Sequence, residues 1–295
     1  MSLFGGIECG GSSFACAIGS GPEDIVAYTK FPTTTPAKTL ARAVDFFRSE
    51  RARHTISVVG IASFGPVDLD RSSPTYGSIT TTPKPGWGNV DVAGYVGREL
   101  SLPIGFDTDV NATALAEHRW GNAVGLDSFV YVTVGTGIGG GAVFDGSPVH
   151  GLVHPEMGHM RVPHDPYDGF AGCCPYHGDC LEGLASGPAI RQRWGAPPDG
   201  LPDDHPAWEL EAGYLATGLA NIVCALSPGR IVLGGGVMGR SVLYPMVRQG
   251  LLEQLAGYVQ APELIDDIDG YVIPPALGDR AGVLGAIALA KDAQK

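Results

Sequence analysis

Phe129-Val-Tyr-Val-Thr-Val-Gly-Thr-Gly-Ile-Gly-Gly-Gly-Ala-Val-Phe144 is the stretch on which the reading of the fold turns. Inside it, Gly135-Thr-Gly137-Ile-Gly139-Gly140 satisfies the G-x-G-x-x-G pattern of dinucleotide-binding turns. That pattern needs a helix after the glycines, so that the pyrophosphate meets a helix N-terminus. Here the following residues, Gly141-Ala-Val-Phe144, read as a strand. A Rossmann turn is therefore rejected, and the absence of any G-x-x-x-x-G-K-[ST] rejects a P-loop. What remains is a strand, a turn almost bare of side chains and a second strand. Backbone N–H groups in such a turn can approach phosphate oxygens closely.

Working outward, the first half of the chain repeats the arrangement. Gly6-Ile7-Glu8-Cys9 and Phe14-Ala15-Cys16-Ala17-Ile18 read as strands flanking Gly10, Gly11 and Ser12. Each turn alone reads as well as an ordinary hairpin, but the pair suggests two clamps on a nucleoside triphosphate held between domains. A third cluster, Gly234-Gly235-Gly236, follows the strand-like Ile231-Val-Leu233 and is expected to open a helix. Helices are expected at 36–51, capped by Thr35, at 91–100, and at 110–120, where Thr108 or Asp109 can cap. Others fall at 181–193, 206–226, 241–255 and 280–290, with strands at 57–62, 103–106, 230–233 and 271–273. The mixture indicates an α/β architecture. The breakers Gly121, Asn122 and Gly125 suggest a division into residues 1–120 and 121–295, with the last helix folding back on the first domain. Two stretches, 70–88 and 163–177, are too rich in Pro, Gly and Thr to be regular, and long irregular loops tend to carry function.

The balance of 19 Lys plus Arg against 31 Asp plus Glu gives a net charge of −12, which argues against a nucleic-acid partner. It does not oppose binding of one ATP through backbone N–H groups and Mg²⁺. No apolar run approaches the roughly 18 residues of a membrane span, and the N-terminus lacks signal-peptide character, so the expected location is the cytoplasm. Three of six cysteines, Cys173, Cys174 and Cys180, crowd into eight positions, which suggests a metal site rather than a disulfide framework.

At these residues the chain resembles the ROK family of the sugar-kinase and actin superfamily, and within it the bacterial fructokinase branch. Gly6-Ile-Glu-Cys-Gly-Gly-Ser-Ser13 resembles the first phosphate segment, with Glu8 where the family usually has Asp and Ser13 where it commonly has Lys. Residues 132–141 resemble the second phosphate segment, and Gly234–Gly236 the turn near adenine and ribose. Asp107-Thr-Asp-Val-Asn-Ala112 resembles the Asp-Asn-Asp-x-Asn-Ala segment, which implies Asp109 as the catalytic base, with Thr108 replacing Asn. Pro155-Glu-Met-Gly-His159 resembles the element whose Glu and His contact the sugar, and Cys174-Pro-Tyr-His-Gly-Asp-Cys-Leu-Glu182 the zinc-binding loop.

The resemblance implies an actin-like ATPase (ribonuclease H-like) α/β fold with the active site between two domains. It further implies ATP at Gly10, Gly11, Ser12, Gly135, Thr136, Gly137 and Gly234–Gly236, with Mg²⁺ as a second cofactor. Sugar would be held by Glu156, His159 and Glu182, with Asn111 a further contact. A structural Zn²⁺ would sit on His159, Cys174, His177 and Cys180. For Asp109 the bland reading is a helix cap, and for Glu182 a first-turn carboxylate. Thr82-Pro-Lys-Pro-Gly-Trp87 resembles a loop that closes over the sugar, while Trp87 reads equally as a packing residue.

The implied activity is ATP-dependent phosphorylation of a hexose by a homodimer, with fructose the preferred acceptor; glucose, mannose and other hexoses are the alternatives. A sugar-responsive ROK transcriptional regulator is the rival of another class. Such regulators carry an additional N-terminal helix-turn-helix domain, whereas this chain enters its first phosphate segment by residue 6.

Overall fold

The computed structural model describes residues Ser2–Gln294 and divides the chain into two compact units. The first holds residues up to Gly125, Gly141–Pro155 and those from Ala276 on; the second holds Leu126–Gly140 and Glu156–Pro275. The chain thus enters and leaves each unit more than once, an organisation that a single cut at 120/121 does not express.

The first unit is built on a five-stranded sheet. Its strands are β1 (Leu3–Cys9), β2 (Ser13–Gly21), β3 (Asp24–Pro32), β4 (Ile56–Ser63) and, after the short pair β5 (Ser78–Ile79) and β6 (Val90–Asp91), β7 (Ile104–Thr108). The order is β3-β2-β1-β4-β7. β1, β2 and β3 form an antiparallel meander, and β4 and β7 extend it as parallel strands. This is the sheet of the actin-like ATPase fold. β4 is apolar almost throughout because both of its faces are covered. On one face lie α1 (Pro36–Glu50) and α2 (Val92–Leu100), over a core that includes Phe14, Phe47, Val96 and Trp87.

On the other face lies the C-terminal helix Ala281–Ala293. Three glycines stand in one row across the sheet, Gly6 opposite Gly60 and Gly60 opposite Gly105. A Cβ on Gly6 would be 2.8 Å from the Val283 carbonyl oxygen, and one on Gly105 would be 2.5 Å from that of Leu289. The row lets the helix backbone lie directly on the strands. α3 (Asp109–Trp120) packs beside this helix. Near its end the buried Glu117 carboxylate accepts hydrogen bonds from Asn122 N, Ala276 N and Leu277 N, tying α3 to the start of the C-terminal segment.

The second unit contains β8 (Ser128–Val134), and β9 (Ile138–Phe144) begins there beside β8 and ends in the first unit, where Phe144 and Val143 pair with β10 (Ser147–Pro148). Its helices include α4 (Leu181–Ala185), α5 (Gly187–Trp194), α6 (Ala207–Leu226) and, after β11 (Ile231–Gly234), α7 (Leu243–Leu255). β11 runs parallel to β8 on one side and to β12 (Val272–Ile273) on the other.

The helix expected at 181–193 is broken in two. Ser186 takes an extended backbone and its hydroxyl accepts from Ala189 N, while Pro188 sits in the first turn of α5, where its missing N–H does no harm. The glycines at 234–236 do not open a helix either. They lead into a 3₁₀ turn, Val237–Gly239, and α7 starts only at Leu243.

Candidate functional site

In the first unit the chemistry gathers where β7 gives way to α3. Thr108, not Asp109, is the N-cap: its hydroxyl oxygen accepts from Asn111 N at 3.1 Å. Asp109 is therefore the first helical residue, partly exposed, with Oδ1 accepting from Val110 N at 2.9 Å. Asp107 is buried, and its Oδ1 accepts from Thr108 N at 2.7 Å and from Asn111 Nδ2 at 2.8 Å. Asn111 is only 1% exposed, so its amide faces the protein interior.

His150, which the sequence reading did not single out, lies 2.8 Å by Nε2 from the remaining Asp107 oxygen. That hydrogen bond raises the imidazole's pKa against the opposing effect of burial. No local pattern flags the pairing, because 43 residues separate the partners.

The first glycine turn is closed by Gly10 N donating to Ser13 O at 3.0 Å, and Gly11 and Ser12 at its tip are exposed. Thr33, another residue missed in the sequence, steadies this turn. Its hydroxyl donates to Gly10 O at 2.7 Å and its N–H to Ser12 O at 3.0 Å. Burial raises the pKa of Glu8 on β1, with Lys30 opposing it. Trp87 is fully buried, donates from Nε1 to Thr34 O and packs against Phe14 and Phe64, so it serves as a packing residue.

In the second unit Gly135 N donates to Gly137 O at 2.8 Å, closing the second glycine turn with Thr136 exposed at its tip. Glu182, on the first turn of α4, accepts from Ile138 N through Oε2 at 3.0 Å, which fixes its carboxylate against this turn. Gly234 is buried, whereas Gly235 and Gly236 are exposed, and Gly235 adopts a φ of +97°, which favours glycine.

Glu156 precedes a 3₁₀ turn, Met157–His159, and a Cβ on Gly158 would overlap the Ile138 carbonyl oxygen, so that turn packs tightly on the start of β9. Although the outer surface of Glu156 reaches solvent, desolvation of its carboxyl, followed by the like charge of Glu182, pushes its pKa up to about 7.

His159, Cys174, His177 and Cys180 place their donor atoms within 4.8 Å of one another. His159 Nδ1 is 3.5 Å from Cys180 Sγ and 3.8 Å from Cys174 Sγ, and His177 Nδ1 is 3.6 Å from Cys174 Sγ. A tetrahedral ion with ligand bonds of about 2.0–2.3 Å sets its donors about 3.3–3.8 Å apart, so the group fits a zinc-sized ion. Burial, reinforced by Cys174, pushes the Cys180 thiol up to about 11; a divalent cation would reverse that tendency.

The loop is shaped by backbone pairing between Cys174 and Gly178 and anchored by Leu181 N on Met160 O. Upstream, Arg193 binds Asp168 with two nitrogens, at 3.2 and 3.0 Å, and Tyr214 donates to the same carboxylate at 2.8 Å. Burial alone would raise Asp168; its hydrogen bonds with Phe170 N, Tyr214 and Arg193 hold it below its ordinary pKa.

The sequence pattern of the ROK family matches residues 4–293 of this chain. A fructokinase of Zymomonas mobilis is 45% identical, over 99% of this chain and 97% of its own length. A fructokinase of Pediococcus pentosaceus is 40% identical, over 99% of both chains. Among solved structures, a ROK family glucokinase from Streptomyces griseus, in complex with glucose and AMPPNP, superposes with a TM-score of 0.79 at 26% identity, over 99% of this chain and 100% of that one.

Proposed function

We propose, from the premise that this chain belongs to the ROK family, that it transfers the γ-phosphoryl group of ATP to a hexose, with D-fructose preferred and D-fructose 6-phosphate the product. The observation that carries this reading is Asp109, which stands on the first turn of α3 while Thr108 does the capping. A carboxylate so placed suits a general base.

The sugar hydroxyl loses its proton to Asp109 as its oxygen forms a bond to the γ-phosphorus; the bond from that phosphorus to the β–γ bridging oxygen breaks, and ADP leaves. Mg²⁺ bound with the nucleotide would offset the charge on its phosphates. The backbone turns Gly10, Gly11, Ser12 and Gly135, Thr136, Gly137 are assigned to those phosphates, and Gly234–Gly236 to the nucleoside.

Glu156, His159 and Glu182 are assigned to the sugar hydroxyls. Asn111 is assigned a supporting role, because its amide is held by Asp107. His159, Cys174, His177 and Cys180 would hold a structural Zn²⁺ through nitrogen and sulfur. That ion would fix the His159 ring and the loop leading to Glu182. Among the described residues no helix is long and apolar enough to cross a membrane. From the ROK kinship alone we assign the enzyme to the cytoplasm as a homodimer.

A coupled ADP-release assay with MgATP across a panel of hexoses tests the reading. Fructose should give the highest kcat/KM. Preference for glucose, mannose or an N-acetylhexosamine would overturn the branch assignment, and no turnover on any hexose would overturn the kinase itself.

A further inference from the structure

Asp107 is a carboxylate with a side chain only 5% exposed, and it is surrounded by three donors. Two of them, Thr108 N and Asn111 Nδ2, occupy Oδ1. His150 Nε2 meets Oδ2. An ionised group this deep is stable only when such contacts are complete, because one missing donor leaves a desolvated lone pair facing protein.

We propose that His150 is a positioning residue for phosphoryl transfer, acting through Asp107 to hold the first turn of α3, on which Asp109 stands; this rests on the kinase reading above. The route is short. Asp107 fixes the Asn111 side chain, Asn111 N fixes the Thr108 cap, and Asp109 lies between those two residues. Removing the His150 donor would let the carboxylate rotate and carry the Asn111 amide with it.

The contacts also select the tautomer. Nε2 lies 2.8 Å from an Asp107 oxygen, whereas its 3.3 Å approach to Asn111 Nδ2, a donor already engaged with Asp107, is a packing contact and not a hydrogen bond. A bare Nε2 lone pair at 2.8 Å from a carboxylate would be repelled, so Nε2 carries the proton and Asp107 accepts it. Nδ1 lies at the other side of a ring that is 42% exposed.

The test compares His150→Phe with His150→Gln, whose amide nitrogen can reach the place of Nε2. With fructose and MgATP, His150→Phe should lower kcat about 10- to 100-fold, the size expected when a reacting group shifts by a fraction of an ångström to 1 Å, while sugar KM changes little. His150→Gln should recover most of that loss. Unchanged kcat in His150→Phe overturns the proposal, as does a loss that Gln fails to recover and that tracks melting temperature.

A second arm is independent of turnover: ¹⁵N-resolved NMR of the imidazole should show a proton on Nε2 in a strong hydrogen bond. An Nδ1–H tautomer overturns the inference. If the wild-type chain phosphorylated no hexose, the kinase reading would fall and this spectrum alone would decide the pairing.

Discussion

Gly60 and Ala286 are so close that a single methyl group at Gly60 would overlap the Ala286 carbonyl oxygen. Gly60 is the middle member of the glycine row under the C-terminal helix, with Gly6 on one side and Gly105 on the other. The obstructing atoms are backbone, which cannot swing aside as a flexible side chain can. Gly60→Ala should therefore push the helix off β4 and destabilise the protein by at least the ~1–3 kcal/mol typical of overpacking. Urea unfolding measures it. An alanine variant as stable as the parent would show that the helix is not seated as described.

Replacing Asp109 by Asn keeps the shape of the side chain and removes its ability to take a proton. Turnover should fall by about 10²–10⁴, the usual contribution of a general base, with fructose binding largely kept. Asp107→Asn is the informative control, since Asp107 is engaged with Thr108, Asn111 and His150. Near-normal turnover in the Asp109 variant alongside a dead Asp107 variant would mean that the base has been misassigned.

How much of this was legible in the sequence depends on the range of the interaction. The strand, turn, strand units around Gly10 and Gly135 and the helix after Asp109 rest on near neighbours, and they form where expected. β3 was not anticipated, because an edge strand with one wet face, Asp24–Pro32, lacks a strong apolar period. The break at Ser186 is a contest between helix propensity and one proline, decided by a hydroxyl cap. The partners of His150 and Glu117 are set by the fold, across 43 residues for Asp107 and 159 for Ala276, and no local pattern encodes them. Of the metal-fitting group, Cys174, His177 and Cys180 lie within seven positions and so invite a metal reading locally, while His159 and the choice of Cys174 over Cys173 came from the resemblance to the ROK family.

Glu156 predicts a pH dependence with a definite sign. Its folded-state pKa is raised to about 7 from an ordinary value of 4.5, so between these two values the folded protein binds the extra proton. The contribution of this group to stability is therefore largest below about 4.5 and is lost as pH rises through 7. Glu156→Gln, which abolishes the titration, should raise Tm relative to wild type at pH 8 and do so less at pH 5. In the same variant the fall of fructose KM with rising pH through 7, expected as the carboxylate gains its second acceptor, should flatten. Calorimetry at both pH values checks the first part, and an equal Tm difference at both would refute the shifted carboxyl.

For the metal, protein purified without added zinc should contain about one Zn²⁺ per chain, as a closed four-ligand site of this kind retains its ion. The separations from Cys174 to His177 and from His159 to Cys180 already match the edges of a tetrahedron around such an ion, so binding needs little rearrangement. Loss of one ligand should matter more than loss of a surface imidazole. His177→Ala should lower both zinc content and melting temperature, and Cys173→Ser, next to a ligand but outside the group, should change zinc content little. Strong chelation should mimic His177→Ala in the wild type and have less further effect on the variant. Since the ion would orient His159 and the loop leading to Glu182, chelation should also raise the KM for fructose more than the KM for ATP. A fully folded, fully active protein with no bound metal would sink the zinc assignment and leave Asp109 and its chemistry untouched.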